Sequence, residues 1–167
     1  VESAVAWASA LRRDDGPTSM MFSRQNLPHT ARDASTIAAI ARGGYVLSDA
    51  DDAQVVLIGT GSEVSLALAA QKTLAADGIA ARVVSMPSTT VFDRQDAAWR
   101  DKVLPRALPR VAVEAGVTDL WRKYVGLDGA VIGLDHFGES APAGELYKAF
   151  GITAEAVAAA ARKVLGR

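Results

Sequence analysis

Four short apolar runs, separated by stretches of helical length, constrain this chain more than any other feature. The runs Gln54–Ile58, Ala81–Met86, Arg110–Glu114 and Ala130–Leu134 are continuous rather than alternating. A strand that is apolar on both faces has to be covered on both faces. The intervening segments predict helices over Ser62–Ala76, Phe92–Val103 and Asp119–Val125. A short helix over Gly144–Phe150 and an Ala-rich helix from Thr153 to about Leu165 follow. Strands alternating with helices at this spacing imply βαβ units. The expected fold is α/β, a three-layer αβα arrangement around a mostly parallel sheet. Tyr45–Leu47 adds a short strand before the first run. Ser62 reads as the N-cap of the first intervening helix, Gly78 as its stop, and Thr153 as the cap of the last.

The opening of the chain does not fit this alternation. Val1–Arg13 predicts a helix, Asp14–Pro17 a break and Thr18–Phe22 a short buried strand. Ala31–Arg42 reads as a connector with a short helix, capped by Asp33 and closed at Gly43. One helix and one strand cannot bury their own apolar faces. They either join the sheet downstream or end a domain that precedes it, and the second reading is favoured. The chain starts at Val1, which reads as processing or a fragment.

Composition narrows the function classes. The 167 residues include no cysteine, so disulfides, thiolate nucleophiles and Cys-based zinc sites are excluded. A net charge of −1 offers none of the basic excess a nucleic-acid binder uses. No apolar run approaches the roughly 18 residues of a membrane helix, and no basic segment opens a signal peptide. The expected partners therefore include no nucleic acid and no membrane, and the expected location is cytoplasmic.

In an open parallel sheet, ligands bind beyond the carboxyl ends of the strands. Four loops fall there: Gly59–Ser62, Met86–Thr89, Glu114–Gly116 and Asp135–Glu139. The first has two glycines before a helix, as a phosphate cradle does. Val64 stands where a third glycine is required, Glu63 puts a negative charge in the first turn, and no P-loop lysine follows. A structural turn is favoured over an anion site. His136 beside Asp135 could be a base and its orienter, but no nucleophile accompanies the pair, and a surface histidine is the plainer reading. His29 reads as solvated, and two histidines so far apart make no metal site. Asp49, Asp51 and Asp52 lack the glycine and terminal glutamate of a calcium loop. Glu114 reads as a paired or capping carboxylate rather than a perturbed acid. Trp7, Trp99 and Trp121 read as core or interface anchors. Arg24, in Ser23-Arg24-Gln25-Asn26, is singled out. A guanidinium at a strand end either holds phosphate or carboxylate bidentately, or forms a surface salt bridge.

Several ordered segments carry a resemblance. They are Leu11–Pro17, Ser23–Leu27, Gly43–Leu47, Ile58–Val64, Arg82–Ser88 with Phe92-Asp93, Val113–Gly116 and Phe137–Ala143. Together they resemble the C-terminal end of the transketolases over almost the whole chain. The Ser23–Leu27 and Phe137–Pro142 segments favour transketolase over other thiamine enzymes that share such a terminal domain. The resemblance implies residues 1–30 as the last helix and strand of a pyrimidine-binding domain, 31–40 as a linker and 41–167 as the C-terminal α/β domain. It implies Arg24 as the residue that binds the phosphate of a sugar-phosphate substrate, and no catalytic, cofactor-binding or metal-binding residue in this chain. The parent enzyme would transfer a two-carbon ketol unit between sugar phosphates in the pentose phosphate pathway. It would use thiamine diphosphate with magnesium or calcium and work as a homodimer. This portion would be structural, packing on upstream transketolase domains. The alternative left open is a stand-alone anion-binding module.

Overall fold

The computed structural model describes residues 1–167. Five strands form one sheet in the order β1-β3-β2-β4-β5. They are β1 (Tyr45–Ser48), β2 (Val55–Gly59), β3 (Ala81–Ser85), β4 (Arg110–Val113) and β5 (Ala130–Ile132). β2 runs parallel to both β3 and β4, and β4 parallel to β5. Only the edge strand β1 is antiparallel. The mostly parallel αβα sandwich expected from the apolar runs is the fold observed.

Strand geometry divides each apolar run between two cores, because successive side chains leave opposite faces. Along β2, Val55 and Leu57 enter one cluster while Val56 and Ile58 enter the other, all of them fully buried. The first cluster is closed by α3 (Val64–Ala76) and α8 (Ala154–Val164), which contribute Ala67, Ala70, Leu74, Val157, Ala158 and Ala161. The small alanines let both helices lie close to the sheet. The second is closed by α4 (Thr89–Asp93), α5 (Ala97–Val103) and α6 (Asp119–Val125), through Phe92, Val103, Trp121, Tyr124 and Val125.

Capping decides several boundaries. Asp33 accepts from the Thr36 backbone N–H at 2.7 Å and opens α2 (Ala34–Ile40). Thr153 accepts from that of Ala156 at 3.2 Å and opens α8, as expected. The single helix expected over Phe92–Val103 is instead two. Asp96 leaves helical geometry and accepts from the Trp99 N–H at 2.7 Å, starting α5 afresh. Replacing Asp96 by alanine is expected to cost about 0.5–2 kcal/mol, the usual worth of an N-cap. A shift of the urea midpoint at unchanged slope measures it. Ser62 is not the N-cap of α3. That helix starts at Val64 after a 3-10 turn at Gly61–Glu63, with no side-chain cap, and the Ser62 hydroxyl is used elsewhere.

The first 33 residues remain apart from this sandwich. α1 (Glu2–Arg12) buries no residue. Thr18–Phe22 is not a strand, and residues 13–33 hold no helix or strand at all. An apolar segment becomes a strand only where a neighbouring strand pairs with its backbone, and none reaches it here. Met21 is 97% exposed and Leu11 80%. What attaches the segment is polar. Glu2 Oε1 accepts from the Tyr45 hydroxyl at 2.6 Å, Ser85 Oγ at 2.6 Å and Arg32 Nη2 at 3.3 Å. Burial, and then the hydrogen bond to Glu2, push the Tyr45 phenol up to about 12. No helix is long and apolar enough to cross a membrane.

Candidate functional site

The carboxyl ends of β2, β3, β4 and β5 lie along one edge of the sheet, and the four expected loops leave from there. Gly59 ends β2 because the backbone of the next helix is already against it. A Cβ there would sit 3.0 Å from Val64 Cα. The glycine therefore serves close packing of α3 on β2.

Glu63 then takes the space a phosphate would need. It is 4% exposed, within the first turn leading into α3. Ser62 Oγ donates to its Oε1 at 2.8 Å, and the Tyr147 hydroxyl on α7 (Ala143–Ala149) donates to the same oxygen. A helix N-terminus favours negative charge, and here the chain supplies its own carboxylate. Burial, and then the bond to Glu63, raise the Tyr147 phenol above its ordinary value. The loop is a filled site, as the turn reading expects.

Arg24 follows a residue that meets this edge. Its neighbour Ser23 lies with Oγ 3.4 Å from Ser62 Oγ. The Arg24 side chain is exposed, and it is in none of the ion pairs of the chain. The surface salt bridge weighed for it is therefore not made within this chain. A cleft of about 520 Å³ opens nearby, between the connector and the start of α3, lined in part by Glu2, His29, Arg32, Ser62 and Lys72.

The remaining candidates are used structurally. Asp135 does not orient His136. It accepts from the Thr118 backbone N–H and from Thr118 Oγ1, both at 2.8 Å. His136 turns its Nδ1 to the Phe137 carbonyl at 2.8 Å and lays its ring edge on Phe150. The backbone bond from Thr118, and then its hydroxyl, hold the Asp135 carboxyl below the ordinary range. A carboxyl depressed on folding stabilises above its unfolded pKa of about 3.9, and that contribution is lost as the pH falls through the folded value. Carbon NMR titration is expected to place the Asp135 midpoint below the ordinary value. Thr118→Val is expected to move it part of the way back, since the backbone donor stays.

Asp49 accepts two bonds from Arg82, at 2.9 and 2.7 Å, so it is not available to a cation. No group of three or more His, Asp or Glu side chains could hold a metal ion. Glu114 accepts from the Trp121 indole at 2.5 Å, a partner the sequence did not name. Trp121 is a core anchor, and Trp99 is held by the Gly44 carbonyl and by Arg42 over its ring at 3.8 Å. Trp7, by contrast, is 53% exposed. At the amino end of β4, Arg110 gives its terminal nitrogens to the Tyr124, Leu104 and Pro105 carbonyls, and burial lowers its pKa.

Comparison with known proteins completes the description. Residues 43–153 match the family model of the transketolase-like C-terminal domain. Over 167 residues the chain is 56% identical to transketolase 1 of Vibrio cholerae and 56% identical to transketolase 1 of Escherichia coli. Each match covers 99% of this chain but 25% of the relative, so the chain spans about a quarter of the length of these curated relatives. The solved structure of transketolase from Leishmania mexicana superimposes with a TM-score of 0.92 at 43% identity, over 99% of this chain and 24% of that one. A transketolase of Pichia stipitis in complex with sedoheptulose-7-phosphate gives 0.91 at 38% identity, with the same coverage. A split-gene transketolase, described as an inactive β4 tetramer, gives 0.55 at 31% identity, over 74% of this chain and 42% of that one.

Proposed function

This chain belongs to the transketolase family, and we propose that it is the C-terminal portion of an enzyme that moves a two-carbon ketol unit from a ketose phosphate to an aldose phosphate. The observation that carries the proposal is the match of nearly the whole chain, at 56% identity, to transketolases four times its length. The Pichia stipitis relative bound to sedoheptulose-7-phosphate supports a sugar phosphate as substrate.

Within that enzyme, residues 1–30 end the pyrimidine-binding domain, 31–40 link, and 41–167 form the C-terminal domain. The bare apolar side chains support the division. Trp7, Leu11, Met21 and Phe22 are at least half exposed, and a segment this apolar needs further chain to cover it. Arg24 holds the substrate phosphate. It is exposed, it follows a residue that meets the carboxyl edge of the sheet, and it pairs with none of this chain's carboxylates, so its charge is available to an anion.

The covalent chemistry of such a transfer is supplied by thiamine diphosphate with a divalent metal. The residues present do not fit that group. Glu63 fills the one glycine-flanked helix start, and no cluster of metal-binding side chains exists. We therefore assign the cofactor to residues outside this chain, in a cytoplasmic homodimeric enzyme. This portion contributes packing and one phosphate-binding arginine. The inactive β4 tetramer of the split-gene relative supports the same division of labour.

The 167-residue chain, supplied with thiamine diphosphate and magnesium, is expected to transfer no ketol unit. The assay couples aldose phosphate formation to a dehydrogenase. Turnover by this chain alone would falsify the proposal that the cofactor is held elsewhere.

A further inference from the structure

The Gly59–Ser62 loop, having no room for a phosphate of its own, still ends in a directed set of hydroxyls. Ser62 has one proton and gives it to Glu63. The Tyr147 proton goes to the same carboxylate, so the lone pairs of Ser62 Oγ remain for a donor. Ser23 Oγ, at 3.4 Å, is placed to be that donor. The order is then Ser23 to Ser62 to Glu63, with Tyr147 closing from the other side. Hydrogen bonds in such a series polarise one another. Glu63, buried and within a helix start, is a fixed end point.

The residue next to Ser23 is Arg24. The segment that carries it has no regular structure from 13 to 33, so no backbone ladder holds the arginine in place. The contact between Ser23 and Ser62 joins that segment to the sheet across 39 positions of sequence. An exposed arginine on a segment without regular structure would lose much of its side-chain and backbone freedom on binding phosphate. A prior anchor removes part of that cost.

We propose that Ser62, with Glu63 and Tyr147 behind it, is a positioning residue for the substrate phosphate. It holds Ser23 so that Arg24 is presented in one place. The C-terminal domain then takes part in substrate recognition through the loop its sheet presents. The inference rests on the phosphate-binding role proposed for Arg24.

The test uses Ser62→Ala and Ser23→Ala in the complete enzyme, with Arg24→Ala beside them. Each serine variant is expected to raise KM for a ketose phosphate roughly two- to tenfold, the worth of one hydrogen bond. kcat, and KM for the same ketose without its phosphate, are expected to stay put. Amide hydrogen exchange is expected to quicken over residues 23–26 and to remain slow in β2. Equal changes for the phosphorylated and unphosphorylated ketose would mean a general packing role and overturn the inference. Wild-type KM and exchange in both serine variants would overturn it as well. If Arg24→Ala raises KM for the phosphate and the serine variants do not, the anchoring fails alone. If Arg24→Ala itself leaves that KM unchanged, the phosphate role fails and takes the anchoring with it.

Discussion

Arg24→Ala in the complete enzyme is expected to raise KM for phosphorylated substrates roughly 10- to 150-fold, from about 1.5–3 kcal/mol of charge-assisted hydrogen bonding. The loss should fall on binding, because a guanidinium that grips a distal phosphate does so in the ground state and the transition state alike. kcat should therefore change little. Arg24→Lys keeps the charge but not the planar fork, and should recover only part of the affinity. An unphosphorylated ketose, lacking the group proposed to meet Arg24, should be turned over as before. Steady-state kinetics on the two donors decides the matter. An unchanged KM for the phosphorylated one would remove Arg24 from the site. The structural basis is that the side chain is exposed and makes no ion pair in this chain, so nothing competes for it here.

The second large effect concerns stability. Trp121 is 1% exposed on α6, and its ring packs beside that of Tyr124 with centroids 5.7 Å apart. Trp121→Ala is expected to destabilise by about 3–5 kcal/mol, from lost burial and the cavity left behind. It also strips Glu114 of its indole donor. Trp121→Phe separates the two contributions, since it keeps most of the ring and removes only the N–H. Its cost should be nearer about 1–2 kcal/mol, because Glu114 is partly exposed and water can replace the lost donor. Urea unfolding of the three proteins measures both. A loss below about 1 kcal/mol for Trp121→Ala would contradict the role of Trp121 as the anchor of that face.

The two effects fall on different links between sequence and function. Trp121 lies in a core that the apolar runs already implied. Arg24 lies in a segment whose course depends on contacts far along the chain. Tyr45 shows the same dependence, since the hydroxyl of an edge-strand residue meets a carboxylate 43 positions earlier.

What could be read from the residues was set by short-range physics. Val55–Ile58 is apolar at consecutive positions, and a pleated strand sends consecutive side chains to opposite faces. Two covering helix layers followed from that one run. Asp33 and Thr153 announced helix starts because a cap acts on an amide three residues away. The family resemblance of ordered segments marked Arg24 as a candidate, which its chemistry by itself left between phosphate and salt bridge.

What tertiary structure decided were the matters that depend on distant partners. Thr18–Phe22 has the composition of a strand, yet no strand comes beside it, and its backbone stays outside the sheet. Asp135 and His136 are adjacent in sequence, but Thr118, 17 positions away, takes the carboxylate. Ser62 looks like a cap, and instead it stands between Ser23 and Glu63. Local propensity sets which elements can form. Hydrogen-bond partners separated by tens of residues set which polar groups remain for a ligand, since a buried donor or acceptor must be satisfied wherever the fold brings it.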